Sequence, residues 1–138
     1  MGLKITLKPN ERMILGGAVI TNGDTRSELI IENNVAILRQ KDILSEKEAN
    51  SPCRRIYFVI QLMYVDVENL VTHHNTYWKL VQGLVQAAPS TLGLIDEISM
   101  HILAGRYYQA LKLARKLIDY EQEITRNVRE STKNLRNR

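Results

Sequence analysis

"KPNERMILGGAVITNG", Lys8 to Gly23, decides how the first third of this chain reads. It holds two short apolar runs, RMIL and AVIT, between turn-forming pairs at Pro9-Asn10, Gly16-Gly17 and Asn22-Gly23. Glycine reaches positive φ at little cost, so Gly16-Gly17 suits a tight hairpin. Asn22-Gly23 is the strongest short hairpin signal of the three. Toward the N-terminus, LKITLK (Leu3–Lys8) puts Leu3, Ile5 and Leu7 on one face and Lys4, Thr6 and Lys8 on the other. That is the period-two pattern of a half-buried strand. Toward the C-terminus, ELIIEN and VAILRQ are separated by Asn33-Asn34, residues that tolerate the left-handed region. Together these runs predict about five strands in a small antiparallel sheet or barrel.

The pattern changes around Ile43. Ser45 with Glu48 matches a capping box, and Ser51-Pro52 gives an N-cap followed by proline at the first helical position. From Ile56 to Leu70 the side chains are apolar almost all round, which predicts a central helix packed on the strands, on later helices or on a second copy. Its length and proline-led start favour helix over a buried strand. A second helix is predicted within His74–Ala88, on the stripe Tyr77, Leu80, Val81, Leu84 and Val85. A third covers Thr91–Ala104 and ends at Gly105. A fourth runs from Tyr107 to Arg126 or beyond. The expected fold is α+β. A β-rich module over 1–50 precedes a four-helix subdomain over 51–128, and a basic tail over 129–138 loses the apolar stripe and frays.

The 138 residues are 44% apolar and 25% charged, the balance of one globular domain that needs neither metal nor disulfide to hold together. The single Cys53 excludes an internal disulfide, nothing at the N-terminus reads as a signal peptide, and no apolar run approaches the ~20 residues of a membrane span. A cytoplasmic protein with no membrane association is expected. The net charge of +4 is uneven: residues 1–50 hold seven cations and seven acids, so the excess lies after Ser51. From Ile124 on there are five cations (Arg126, Arg129, Lys133, Arg136, Arg138) against Glu130. An excess of this size permits binding to an RNA backbone without demanding it.

Reactive chemistry is hard to find. His73 and His74 are adjacent, so on a helix they point about 100° apart and cannot share one metal ion; His101 is alone, and no HExxH or CxxC occurs. Cys53 would sit in a first helical turn beside Arg54 and Arg55, where the dipole and cations favour a thiolate. No sequence signal supplies it with a base, and a small packing residue is the better reading. The glycines lack phosphate-loop spacing. Asp96-Glu97 reads as solvated surface. No catalytic residue, metal or cofactor is expected, and the chain is not read as an enzyme.

What remains is surface. Lys4 and Lys8 on the outward face of strand one, with Arg12, Arg39 and Lys41, are the candidate RNA-binding residues; the alternative is that they blunt a sheet edge. No aromatic residue precedes Tyr57, so this face would bind through charge, hydrogen bonds and edge backbone rather than by stacking. Arg54 and Arg55, unfavourably placed at a helix N-terminus, are secondary candidates that call for a phosphate or an acidic side chain, the latter slightly preferred. Tyr107 and Tyr108 cannot both face the core and are candidates for a protein partner. The apolar central helix points to a homo-oligomer.

The strings LKPNERMILGGAVITNGD, IENNVAILRQKDIL, SPCRRIYFVIQLMY, HHNTYWKLV and GRYYQALKLARKLIDYEQE closely resemble the FlbT family of flagellin regulators in alphaproteobacteria. The resemblance runs up to about Val128 and leaves the tail from Arg129 uncovered. It implies a cytoplasmic post-transcriptional regulator of flagellum assembly that acts at the 5′ untranslated region of flagellin messenger RNA, promoting its decay. It also implies an opposing partner, FlaF, and in some relatives a positive rather than negative effect. The N-terminal strands are similar, over a shorter stretch, to the carbon storage regulator, whose RNA-contacting positions match Lys8 and Arg39 and whose second-strand glycine matches Gly16. The alternative function is an adaptor binding flagellin or FlaF, with RNA effects following indirectly.

Overall fold

The computed structural model describes residues 2–136. Five strands come first: β1 (Leu3–Leu7), β2 (Arg12–Leu15), β3 (Ala18–Thr21), β4 (Ser27–Ile31) and β5 (Ile37–Arg39). Four helices follow: α1 (Pro52–Val65), α2 (Leu70–Ala87), α3 (Leu92–Leu103) and α4 (Tyr107–Arg136). The fold is α+β, and the strands form two small antiparallel sheets, with no closed barrel. One pairs β1 with β4, Leu3 opposite Ile31 and Leu7 opposite Ser27. The other has the order β3-β2-β5.

Turn signals therefore place reversals correctly but not pairings. Gly16-Gly17 closes a true hairpin between β2 and β3, with Gly16 at φ 61° and its N–H bonded to the Ala36 carbonyl. Asn22-Gly23, read as the strongest hairpin signal, joins strands that do not pair. It carries the chain from one sheet to the other. The Asn22 amide donates to the carbonyls of Lys8 (2.8 Å) and Thr25 (3.0 Å) and accepts from the Ser27 hydroxyl (2.9 Å). A side chain that satisfies three segments at once selects the crossing over a hairpin. Ile5, Leu7 and Met13 form the small core of this module; Leu3, expected beside them, is 54% exposed at the strand's end.

α1 is the central helix. Ser51 accepts from the Arg54 N–H at its start, and Pro52 occupies the first turn. Its Cys53, Ile56, Tyr57, Val59, Ile60 and Met63 are buried in the main core with Tyr77, Ile98, Ala110, Ala114 and Leu117 of the other helices. α2 and α4 pack against α1, and α3 packs against α4. The chain's own helices thus cover most of α1, with Phe58, Tyr64 and Val65 left partly buried. α1 also stops at Val65 rather than Leu70. There the Asp66 carboxylate accepts from the Asn69 amide (3.0 Å) and contacts His73 Nε2 (2.9 Å), local bonds that compete with helix and break it before α2.

Ile14 of β2 and Leu38 of β5 are buried in the same core as α1, and a strip of polar tips on α1 also joins the strands to the helices. Gln61, 4% exposed, accepts from the Leu44 N–H (2.8 Å) and donates to the Leu44 carbonyl (2.9 Å). One turn back, the Tyr57 hydroxyl donates to the Asp42 carbonyl (2.7 Å). One turn on, the Tyr64 hydroxyl accepts from the Ile37 N–H (3.2 Å). Tyr57, Gln61 and Tyr64 are spaced i, i+4, i+7 and so share one face of the helix.

At the head of α1, Glu121 of α4 accepts from the Ser51 hydroxyl and from the Cys53 N–H (3.1 Å), placing a carboxylate where the helix dipole favours one. Cys53 itself is 2% exposed, and burial, then the neighbouring Glu121, pushes its thiol up to about 12. The packing reading holds, and a thiolate does not form at neutral pH. Among the described residues no helix is long and apolar enough to cross a membrane. α4 continues to Arg136, with Gln122 to Asn134 all exposed. Arg138 of the basic tail lies outside the described residues.

Two expectations follow. Gln61→Met strands the buried N–H and C=O of Leu44, and urea unfolding is expected to show a loss of about 2–4 kcal/mol; a loss below about 0.5 kcal/mol would contradict the clamp. A neutral, buried thiol predicts that Cys53 resists a thiol-specific chromogenic reagent at pH 8 in the folded chain and reacts promptly once denatured. Rapid labelling of folded protein would contradict the burial.

Candidate nucleic-acid interface

The first-strand turn and the end of β5 meet to form a cleft of about 940 Å³. Thr6, Lys8, Glu11, Arg26, Arg39 and Lys41 line it, with the Asn10 and Gln40 amides beside them. Local chemistry shapes the floor. Asn10 adopts φ 62°, a left-handed conformation that asparagine tolerates, and its N–H bonds to the Gly23 carbonyl (2.9 Å). The Glu11 carboxylate folds back to accept from the Lys8 N–H (2.9 Å). Lys8 therefore stands in a turn just past β1 rather than on the strand. The Gln40 side chain accepts from the Arg12 N–H (2.7 Å), tying the other wall to β2.

Arg39 is the keystone of this floor. Its Nη2 donates to the Thr6 carbonyl (2.9 Å) and to Glu11 Oε2 (3.0 Å), bridging three segments. Its Nε is buried and unpartnered. The Lys8 N–H and then the Arg39 guanidinium hold the Glu11 carboxyl below the usual carboxylate range, so it stays ionised. Arg39 is thus largely neutralised by Glu11 and acts as architecture. Lys8, Arg26 and Lys41 are exposed. They carry the positive field of the cleft.

The structure gathers Lys8, Arg39 and Lys41 and leaves Lys4 and Arg12 outside the cleft. Lys4 lies on the outer face of the β1–β4 sheet, 3.0 Å from Glu28, both exposed, and such a pair contributes little to stability. Arg12 opens β2 with an exposed side chain. Arg26, which lines the cleft, had no signal in the sequence: it sits in the β3–β4 crossing, and only the crossing's path brings it to Lys8.

At the head of α1, Arg54 donates to the Asn50 side chain (3.3 Å) and Arg55 is exposed. Among the described residues neither pairs with an acid, so the internal ion pair expected there does not form; Glu121, the nearby carboxylate, is occupied by Ser51 and Cys53. Tyr107 and Tyr108 do face differently. Tyr107 is half-buried with its hydroxyl against His74 Nε2 (3.1 Å), whereas Tyr108 keeps 36% of its surface in solvent. Among the described residues no three His, Cys, Asp or Glu side chains gather as metal ligands would.

Comparison with known proteins adds a family. A family model described as flagellar protein FlbT matches residues 3–125. The chain is 48% identical over 125 residues to the probable flagellum biosynthesis repressor protein FlbT 1 of Bradyrhizobium diazoefficiens, covering 90% of this chain and 85% of that one. It is 41% identical over 124 residues to the probable repressor FlbT of Rhodopseudomonas palustris, covering 90% and 98%. With the flagellum biosynthesis repressor protein FlbT of Caulobacter vibrioides it shares 40% over 130 residues, 89% of each. No solved structure matches the chain.

Proposed function

The chain belongs to the FlbT family of flagellar proteins, and on that premise we infer that it represses flagellum biogenesis by holding the 5′ untranslated region of flagellin messenger RNA and promoting its decay. The observation that carries this reading is the cleft: three exposed cations, Lys8, Arg26 and Lys41, around a floor braced by Arg39 and Glu11. Cations at fixed spacing neutralise phosphates, and a preformed floor spares the loop-ordering cost of binding. Asn10, Gln40 and Thr6 add donors and acceptors for unpaired bases, which is how RNA sequence is read outside a duplex. The cleft holds no nucleophile with a positioned base, so RNA held there is cut by another agent. Cytoplasmic localisation follows from a messenger target.

A second reading makes the protein an adaptor for flagellin or FlaF. Val71 and Trp78 on α2 and Met100 and Leu103 on α3 favour it, being large apolar side chains left 39–76% exposed.

Purified protein titrated with labelled flagellin leader RNA and a scrambled control separates the two. Lys8→Ala with Lys41→Ala is expected to weaken leader binding and to flatten its dependence on log salt by about 1.4, the loss of two phosphate contacts on a single strand. Arg39→Ala is a poor substitute, because it removes a brace as well as a charge. Equal affinity and slope in the double variant would exclude the cleft. No RNA affinity, with stable co-elution of flagellin or FlaF, would decide for the adaptor.

A further inference from the structure

Two more cavities open on the surface, and neither is used by the cleft reading. One, of about 320 Å³, lies between the strand–helix linker and α4 and is lined by Lys41, Asp42, Tyr57, Tyr108, Lys112 and Arg115. The other, of about 670 Å³, lies where the head of α1 meets the later half of α4, and its charged lining is Arg54, Arg126 and Arg129 with Glu121, beside Gln122. They are not independent. Lys41 lines both the cleft and the first cavity. α4 joins the first cavity to the second.

The join is visible in the spacing. At 3.6 residues per turn, Tyr108, Lys112, Arg115, Gln122, Arg126 and Arg129 all fall within about 60° of one line along α4. Asp119 interrupts this stripe, and Glu130 lies on the same line one residue past Arg129. From Tyr108 to Arg129 the line is about 32 Å long at 1.5 Å per residue. Lys112, Arg126 and Arg129 are exposed, and among the described residues none of them is within ion-pair reach of a carboxylate. Arg115 is committed elsewhere: its guanidinium lies 4.7 Å over the Tyr57 ring and donates to that hydroxyl (3.2 Å).

We propose that this stripe is a second contact surface for single-stranded RNA, which leaves the cleft at Lys41, stacks a base on Tyr108 and lays its backbone along Lys112, Arg126 and Arg129. The inference rests on the reading of the cleft as an RNA site and extends it onto the helical half. Tyr108 supplies the aromatic face that the first fifty residues lack. Tyr64 packs beside its ring, centroids 5.7 Å apart, the Lys112 ammonium lies 4.7 Å from its centroid, and 36% of Tyr108 is open to solvent. Base stacking on an aromatic ring outweighs an exposed cation–π contact, so a base displaces Lys112, and the freed ammonium reaches a flanking phosphate. A protein partner would look for apolar surface, and this line has none beyond Tyr108; a nucleic acid needs this combination of one ring and spaced, unpaired cations.

Anisotropy titrations of the full chain with a flagellin 5′ untranslated leader, across a salt series, test the proposal. Lys112→Ala, Arg126→Ala and Arg129→Ala together are expected to weaken binding tenfold or more and to flatten the salt dependence by about 2. Tyr108→Ala is expected to weaken it about tenfold, with Tyr108→Phe close to wild type, since the ring and not the hydroxyl does the stacking. Lys112, Arg126 and Arg129 are exposed, and matching thermal melts confirm that the triple variant folds. If the triple variant binds like wild type while Lys8→Ala with Lys41→Ala is weakened, the stripe is overturned and the cleft stands. The reverse result overturns the cleft and keeps the stripe. Absence of leader binding by the wild-type chain overturns both. A triple variant that keeps its RNA affinity but loses co-eluting flagellin assigns the stripe to protein and overturns the proposal.

Discussion

The buried amide of Gln61 treats Leu44 as a neighbouring strand would, accepting from its N–H and donating to its carbonyl. Each of these backbone groups, left unpaired in the core, would cost about 1–3 kcal/mol, so the linker has one low-energy path across α1. Tyr57 and Tyr64 hold the same path at Asp42 and Ile37. Because β5 and the turn at Gln40–Asp42 lie on that path, the wall of the cleft that bears Arg39 and Lys41 is located by a helix and not by the strands alone. A β-module whose separate cluster is only Ile5, Leu7 and Met13, with Ile14 and Leu38 buried instead in the core of the helices, has little core of its own. Its rigidity is borrowed from α1.

The cations then divide by role. Arg39 spends its donors inside the protein, on Thr6 and Glu11, and its planar fork suits that bridging. Lys8, Arg26 and Lys41 keep theirs in solvent at the same cleft, where flexible ammonium and guanidinium groups can meet a phosphate without first breaking an internal bond. Arg55 follows the second pattern at the head of α1, exposed and without an acidic partner among the described residues, because Glu121 has already satisfied the helix dipole there. A surface built this way is electrostatic and is expected to weaken steeply with salt.

Periodicity made most elements legible. The alternation across Ile5–Leu7, the Gly16-Gly17 hairpin, the Ser51-Pro52 helix start and the Gly105 stop are local physics, and each is where the residues put it. Pairing was not legible: Asn22-Gly23 announces a reversal, but whether β4 turns back onto β3 or crosses to β1 depends on the contacts of the Asn22 amide with a strand fifteen residues earlier. The break in α1 hides in the same way, since Asp66 acts through Asn69 and His73. Of the cleft, Lys8, Arg39 and Lys41 could be picked by charge, while Arg26 could not, and the structural role of Arg39 needed the partner Glu11 to be seen. The spacing of Tyr57, Gln61 and Tyr64 was present all along. It was masked by the apolar residues around it, which make the helix read as uniformly buried.

The central claim is that α1 holds the β-half, and with it the cleft, as part of one rigid body. Native-state amide hydrogen exchange at Ile37 and Leu44 addresses it most directly, because both amides donate to α1 side chains and to nothing in a sheet partner's place. The account predicts protection comparable to that of the α1 core amides at Val59 and Ile60. Exchange as fast as at the exposed Gly23 turn would mean that the strands open independently of the helices, and would contradict it.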